Sequence, residues 1–400
     1  MSSPLKGVLL SLLLVGCNDS NDSNQSLSTG VFDPFSDTQK QALLTQLVTQ
    51  IVPTHLQRFN AATHTLVSTV TAWCEAPDNI EKQSAAHSAW QSAMDVWQQV
   101  SVVQVGAISD PQTAYGENIY SWPLRDSCRI DKQVFLGVDS EETISGLIPK
   151  SRGLDALEYV LFESNLTVSC SSQAELNGHK VVGWNDLLIT ERQAGRCVFA
   201  KAVAQDMETQ SAALLEAWQN QSVASFTVVG AGKDFASYQS ALNHVSDGVF
   251  FIDKVLKDLK VAKPAGMIDC DSATCVESVE MPYAKTSKEA IIQNLEGFKT
   301  VFTGGDGVGF DDWLIAQGEA GEALSSKILA DVDAAIESAK ALAGDFKTAV
   351  THIDQDACVN GTDPVCVLHS RIKAVTGSLK GDFVTLLNLT LPVAAVSDND

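Results

Sequence analysis

Apolar residues recur along most of this chain at intervals of three and four, the spacing that lays one stripe along one face of a helix. Between residues 37 and 73 the stripe is Leu43, Leu47, Ile51, Leu56, Phe59, Leu66, Val70 and Trp73, and Pro53 is expected to kink or divide it. From 79 to 100 it is Ala86, Trp90, Ala93, Met94, Trp97 and Val100. A helix opening near Arg152 carries Leu154, Leu157, Leu161 and Phe162, and further helices fit 191–218, 235–259, 287–302, 311–342 and 367–387. Period-two alternation is scarce, and the short β-like pieces at 100–105 and 226–229 have no partners across a hairpin turn. The pattern predicts an all-α protein.

Three short segments recur in the same order at nearly equal offsets. Trp90-Gln91-Ser92-Ala93-Met94 returns as Tyr238-Gln239-Ser240-Ala241-Leu242, Gly153-Leu154-Asp155 as Gly309-Phe310-Asp311, and Ala72-Trp73 as Ala217-Trp218. The simplest architecture is two helical bundles related by internal duplication, 37–190 and 191–393, with the two Gly-x-Asp segments facing a shared interface. That arrangement makes Gly153, Asp155 and Asp311 candidates for lining a site.

The N-terminus changes the compartment. Lys6 precedes an apolar run from Val8 to Val15, too short to span a bilayer and the right length for the core of a secretory signal. Leu14-Val15-Gly16-Cys17 resembles a bacterial lipobox, so 1–16 is expected to be a lipoprotein signal peptide and Cys17 the lipidated residue. Residues 17–36, rich in Asn, Asp and Ser, read as a flexible tether. The expected location is the cell envelope, lipid-anchored and facing the periplasm or in the outer membrane.

Charge removes several function classes. Against 27 Lys and Arg stand 49 Asp and Glu, a formal net charge of −22, which repels phosphate backbones and anionic bilayers. Nucleic acid is excluded as a partner, and the membrane is reached through the lipid anchor only.

Nine cysteines less Cys17 leave an even set in an oxidising compartment, which points to disulfides rather than to a catalytic thiol. Short separations suggest Cys270–Cys275 and Cys358–Cys366, and the expected remaining pairs are Cys74–Cys128 and Cys170–Cys197. Structural zinc is improbable, because no Cys-x-x-Cys is present.

The segment Gly153-Leu154-Asp155-Ala156-Leu157-Glu158-Tyr159-Val160-Leu161-Phe162 resembles the signature of the imelysin-like family, whose pattern is Gly-x-His-x-x-Glu. Further agreement comes from Trp90 to Trp97, Asn118 to Pro123, Cys128 to Asp131 and Gly309 to Leu314. The family includes iron-regulated envelope proteins and is filed among metallopeptidases. The resemblance therefore implies a role in iron uptake, with iron or an iron-bearing ligand and an envelope transporter as partners.

Asp155 stands where the family has His. Three residues apart on a helix, Asp155 and Glu158 can point two carboxylates at one spot, an oxygen pair suited to iron(III), calcium, magnesium or manganese rather than to zinc. Both also have a structural reading, as a first-turn acid favoured by the helix dipole and as an ion-pair residue. Trp122, Arg125 and Arg129 are candidates to line the same site, the arginines reaching the carboxylates or a bound anion, or forming ordinary ion pairs. Three functions stay open: a non-proteolytic binding component, a metal-dependent peptidase, which the missing His and the absence of His-Glu-x-x-His weaken, and a scaffold without a ligand.

Overall fold

Ser36 opens the first helix, Asp37–Gln46: its hydroxyl accepts from Gln39 N–H, and the Gln39 side chain in return accepts from Ser36 N–H at 2.9 Å. The computed structural model describes residues 34–172, 175, 177, 178 and 181–396. The expected signal peptide 1–16, the lipidated Cys17 and nearly all of the tether lie outside them. Among the described residues there is no strand, and no helix is long and apolar enough to cross a membrane.

Pro53 does not break the first run. The chain passes through one wide turn, Leu47–Ile51, directly into the helix Val52–Cys74, with Pro53 in its first turn, where a missing N–H costs least. Leu56, Phe59, Leu66 and Val70 face inward, as their spacing predicts. This helix packs against Ile80–Val100 and against the long helix Ile189–Ala217, while the signature helix Gly153–Phe162 packs on both of those partners. These four helices form one bundle. The boundary expected at 190/191 is therefore corrected: the helix starting at Ile189 completes the first bundle through Phe199, Ala200, Val203, Met207 and Leu214.

The second group consists of Ser287–Thr303, Glu319–Lys340, Pro364–Ser378 and the wide-turned helix Ile252–Ala262. Its joint with the first group is Ser287–Thr303 laid along Ile80–Val100. Gly297 permits the close approach, since a Cβ there would stand 2.8 Å from the Cα of Gln99. One continuous hydrophobic core runs through both groups.

The repeated segments occupy unlike places. Gly153 sits at φ +85°, whereas Gly309 is extended at φ −123°. Gly309 precedes the short helix Phe310–Ala316, which packs on Glu319–Lys340 and Ser287–Thr303 and not on the signature helix's partners. The expected interface between the two Gly-x-Asp segments is thus absent among these contacts.

All four disulfides lie within the described residues. Cys270–Cys275 and Cys358–Cys366 are as expected, but the other two are Cys74–Cys197 and Cys128–Cys170, not Cys74–Cys128 and Cys170–Cys197. The physical reason is the helix pairing above. Packing of Ile189–Ala217 on Val52–Cys74 brings Cys197 to the end of the latter, while Cys128 on the helix Ser127–Phe135 meets the segment that follows the signature helix. On the chain-entropy account, closing 123 residues with Cys74–Cys197 stabilises by roughly 5 kcal/mol, and closing 5 with Cys270–Cys275 by roughly 2 kcal/mol. Urea denaturation of Cys74→Ser/Cys197→Ser and of Cys270→Ser/Cys275→Ser is expected to show the larger loss in the first pair.

Candidate functional site

Gly153 places the signature helix. A Cβ on it would lie 2.7 Å from the carbonyl oxygen of Ile119 and 2.9 Å from that of Asn118, and its positive φ adds a second reason for glycine. Arg152, immediately before it, forms a buried two-pronged pair with Asp206 and donates to Ser145 O at 2.9 Å, and Trp90 Nε1 donates to Leu154 O at 2.8 Å. The helix is thus pinned to the segment before it and to both long neighbours. Its two carboxylates consequently point inward.

Asp155 and Glu158 are only 2% and 1% exposed. Ser121 Oγ donates to Asp155 Oδ2 at 2.6 Å, while Asp155 Oδ1 is buried with no hydrogen-bond partner. Glu158 is fully engaged: Arg125 Nη1 donates to Oε2 at 2.8 Å, and the backbone N–H groups of Tyr283 and Ala284 donate to Oε1 at 2.9 and 3.0 Å. Arg125 also lies over the Tyr283 ring, 4.8 Å from its centroid.

A second cluster adjoins the first. Lys260 Nζ reaches Gln98 Oε1 at 2.6 Å, Asn294 Oδ1 at 2.8 Å and Glu280 Oε1 at 2.8 Å, so each of its three N–H bonds has an acceptor. Tyr120 OH donates to the same Glu280 oxygen at 3.0 Å, and Gln98 Nε2 at 3.1 Å. Trp122 forms a wall beside it, with Lys260 Nζ 5.8 Å from its ring centroid. Two cavities flank Trp122 and Pro123. One, of about 370 Å³, is lined by Tyr120, Phe251 and Lys260 among others, and the other, of about 360 Å³, by Arg125, Lys263 and Glu277.

Burial dominates the electrostatics. It pushes Asp155 up to about 6 against the hydrogen bond from Ser121 and the charge of Arg125, and it pushes Glu158 up to about 7 against Arg125 and the two backbone donors, with the Asp155 charge adding to the rise. The Lys260 ammonium is lowered by burial, with Glu280 opposing. Tyr120 is raised well above the usual phenol range by burial and by the charges of Glu280, Glu158 and Asp155.

Among the residues expected at the site, Asp155, Glu158, Gly153, Trp122 and Arg125 are brought together. Arg129 is not: its Nε turns to Asp126 at 3.4 Å. Asp311 is a correction as well, since it sits in the first turn of Phe310–Ala316, away from the signature helix's packing partners. Tyr120, Ser121, Gln98, Glu280, Asn294 and Lys260 were missed. The available signal was weak, a charge with apolar residues directly on both sides in Leu259-Lys260-Val261-Ala262 and Val279-Glu280-Met281, with other charges close by at Lys257, Asp258, Lys263 and Glu277.

The sequence profile of the family described as imelysin matches residues 51–363. The chain belongs to the imelysin family. Its fold is similar to that of an imelysin-like protein from Psychrobacter arcticum 273-4, at 13% identity and TM-score 0.67, covering 89% of this chain and 98% of that one. It is also similar to a provisionally named iron-regulated protein A precursor from Parabacteroides distasonis ATCC 8503, at 15% identity and TM-score 0.63, covering 88% and 97%. No curated protein matches the chain.

The imelysin signature here does not fit a resident metal. Arg125 holds one oxygen of Glu158, backbone donors hold the other, and Asp155 Oδ1 alone is unpartnered, one donor where a hard cation takes about six. Among the described residues, the one grouping of three possible ligand atoms is Cys358, Asp363 and Cys366, whose sulfurs are joined in a disulfide. The expected iron, calcium, magnesium or manganese therefore lacks a ligand set between Asp155 and Glu158.

The ion pair has a testable energetic role. Arg125→Ala leaves a buried carboxylate without its charge partner and is expected to cost on the order of 3–5 kcal/mol of stability. Glu158→Gln on that background should recover part of the loss in a urea-denaturation double-mutant cycle. The raised carboxylates set a pH dependence. Their folded values lie above the usual unfolded ones of about 4, so the fold binds these protons more tightly than the unfolded chain and loses stability as pH rises from about 4 to about 7. Asp155→Asn is expected to reduce the fall in Tm between pH 5 and pH 8 relative to the unsubstituted protein.

Proposed function

We propose that this imelysin-family protein is a binding component of the cell envelope that works in iron acquisition, without peptidase chemistry. The observation that carries the reading is the state of Glu158. A metallopeptidase needs an open metal position and a free general base, and Glu158 already accepts from a guanidinium and two backbone N–H groups. The similarity to a protein described as iron-regulated supports the iron side. The leader ending at Cys17 supports export, lipid anchoring and access to an envelope transporter.

On this reading the iron arrives as a chelate rather than as a bare ion. The cavity of about 360 Å³ between Trp122 and Val279 carries Lys263 and Arg125, whose Nη1 is held by Glu158 but whose Nε is unpartnered, against one acid in the lining, Glu277, and these two cations suit the carboxylate oxygens of an anionic ferric complex. Calorimetric titration with ferric nitrilotriacetate tests this. Binding is expected, with a loss of about tenfold or more in Lys263→Glu, as one favourable charge contact becomes a repulsive one. Casein hydrolysis that a chelator stops and Glu158→Gln abolishes would overturn the reading in favour of the peptidase.

A further inference from the structure

The cavity on the other side of Trp122 has a different chemistry. Its volume is about 370 Å³, more than twice the ~150 Å³ of a cavity known to hold benzene and near the low end for organic-ligand pockets. Trp97, Tyr120, Trp122 and Phe251 contribute aromatic surface, and Val255 and Leu259 aliphatic surface.

The polar groups at its Lys260 end are already committed to one another. Lys260, the one cation in the lining, has its three donors on Gln98, Asn294 and Glu280, and the last neutralises its charge. The Tyr120 hydroxyl proton is given to Glu280, which stands behind these groups and outside the lining. Gln98 accepts through Oε1 from Lys260 and Asn294 and donates through Nε2 to Glu280. Ser101 Oγ donates to Gln98 O and accepts from Asn294. An anion entering here would lose its hydration and find no uncommitted donor on Lys260 in exchange, and Asp110 and Glu117 at the edge would repel it. A flat uncharged ring loses little and gains the aromatic walls. Lys260 lies 5.8 Å from the Trp122 centroid and 5.5 Å from that of Phe251, so the ammonium is held among the rings that line the space.

We propose that this cavity is a binding site for an uncharged, planar aromatic molecule of one or two rings, separate from the charged cavity across Trp122. Occupancy by such a molecule needs no iron. The two sites share the Trp122-Pro123 wall, so a ligand in one bears on the shape of the other.

Saturation-transfer NMR and calorimetry on the full mature protein test the proposal with three probes: indole, 2-naphthol and indole-2-carboxylate. The two neutral rings are expected to bind, and the carboxylate about tenfold more weakly or not at all, because it would bury a charge without a partner. Val255→Trp fills the space and is expected to abolish indole binding. Trp122→Leu, which keeps an apolar side chain but removes the ring face, is expected to weaken it several-fold. Circular dichroism and Tm establish that each variant is folded. The absence of neutral-ring binding at millimolar concentration, equal binding of the carboxylate, or full indole binding by a folded Val255→Trp protein would each overturn the proposal. Ferric nitrilotriacetate titrated into the unsubstituted and Val255→Trp proteins, Val255 lining only the aromatic cavity, reports on the charged cavity, so failure of one site is distinguishable from failure of the other.

Discussion

A carboxylate taken out of water into a protein interior costs several kcal/mol unless opposite charge and hydrogen bonds meet it there. Glu158 is in that position, and what meets it comes from two places in the chain: Arg125, and the backbone of Tyr283 and Ala284. The requirement therefore ties the signature helix to the segment before it and to the segment that leads into the second helix group. Arg125 stacked on Tyr283 closes the arrangement on itself. Loosening any one member leaves a buried charge behind, which is why these three stretches act as one unit.

The same constraint explains why the polar interior is divided. Lys260 with Glu280, and Arg125 with Glu158, are each close to locally neutral, and Trp122 stands beside both cavities. Asp155 is the remainder, with one oxygen on Ser121 and the other unpartnered, and burial raises it toward neutrality. The protein as a whole is strongly acidic, yet at this joint acid and base nearly balance. Surface charge and interior charge answer to different demands: solubility in one case, desolvation in the other.

The helices were legible in the sequence because their signal is local. A stripe at intervals of three and four says which side of a segment is buried, and Leu56, Phe59, Trp90, Leu154 and Leu157 are buried as that rule requires. The stripe does not name the partner. The pattern accordingly does not separate the expected pair Cys74–Cys128 from the one that forms, Cys74–Cys197. Asp311 failed for a related cause, since a repeated tripeptide does not bring two helices together. At the site, the signature helix and Arg125 could be read, but Lys260 and Glu280 belong to it only through folding contacts 20 or more residues from each other and from Gln98.

Cys74–Cys197 also governs what a protease would see. The signature helix, both arginines of the site region and the long connection after Phe162 all lie between the two cysteines. A single cut in that connection would leave the two fragments covalently joined, so a nicked molecule would run as intact protein on a gel until the disulfide was reduced. Wherever proteases reach the folded chain, the crosslink lets it survive a broken backbone without parting with the helix that carries Asp155 and Glu158.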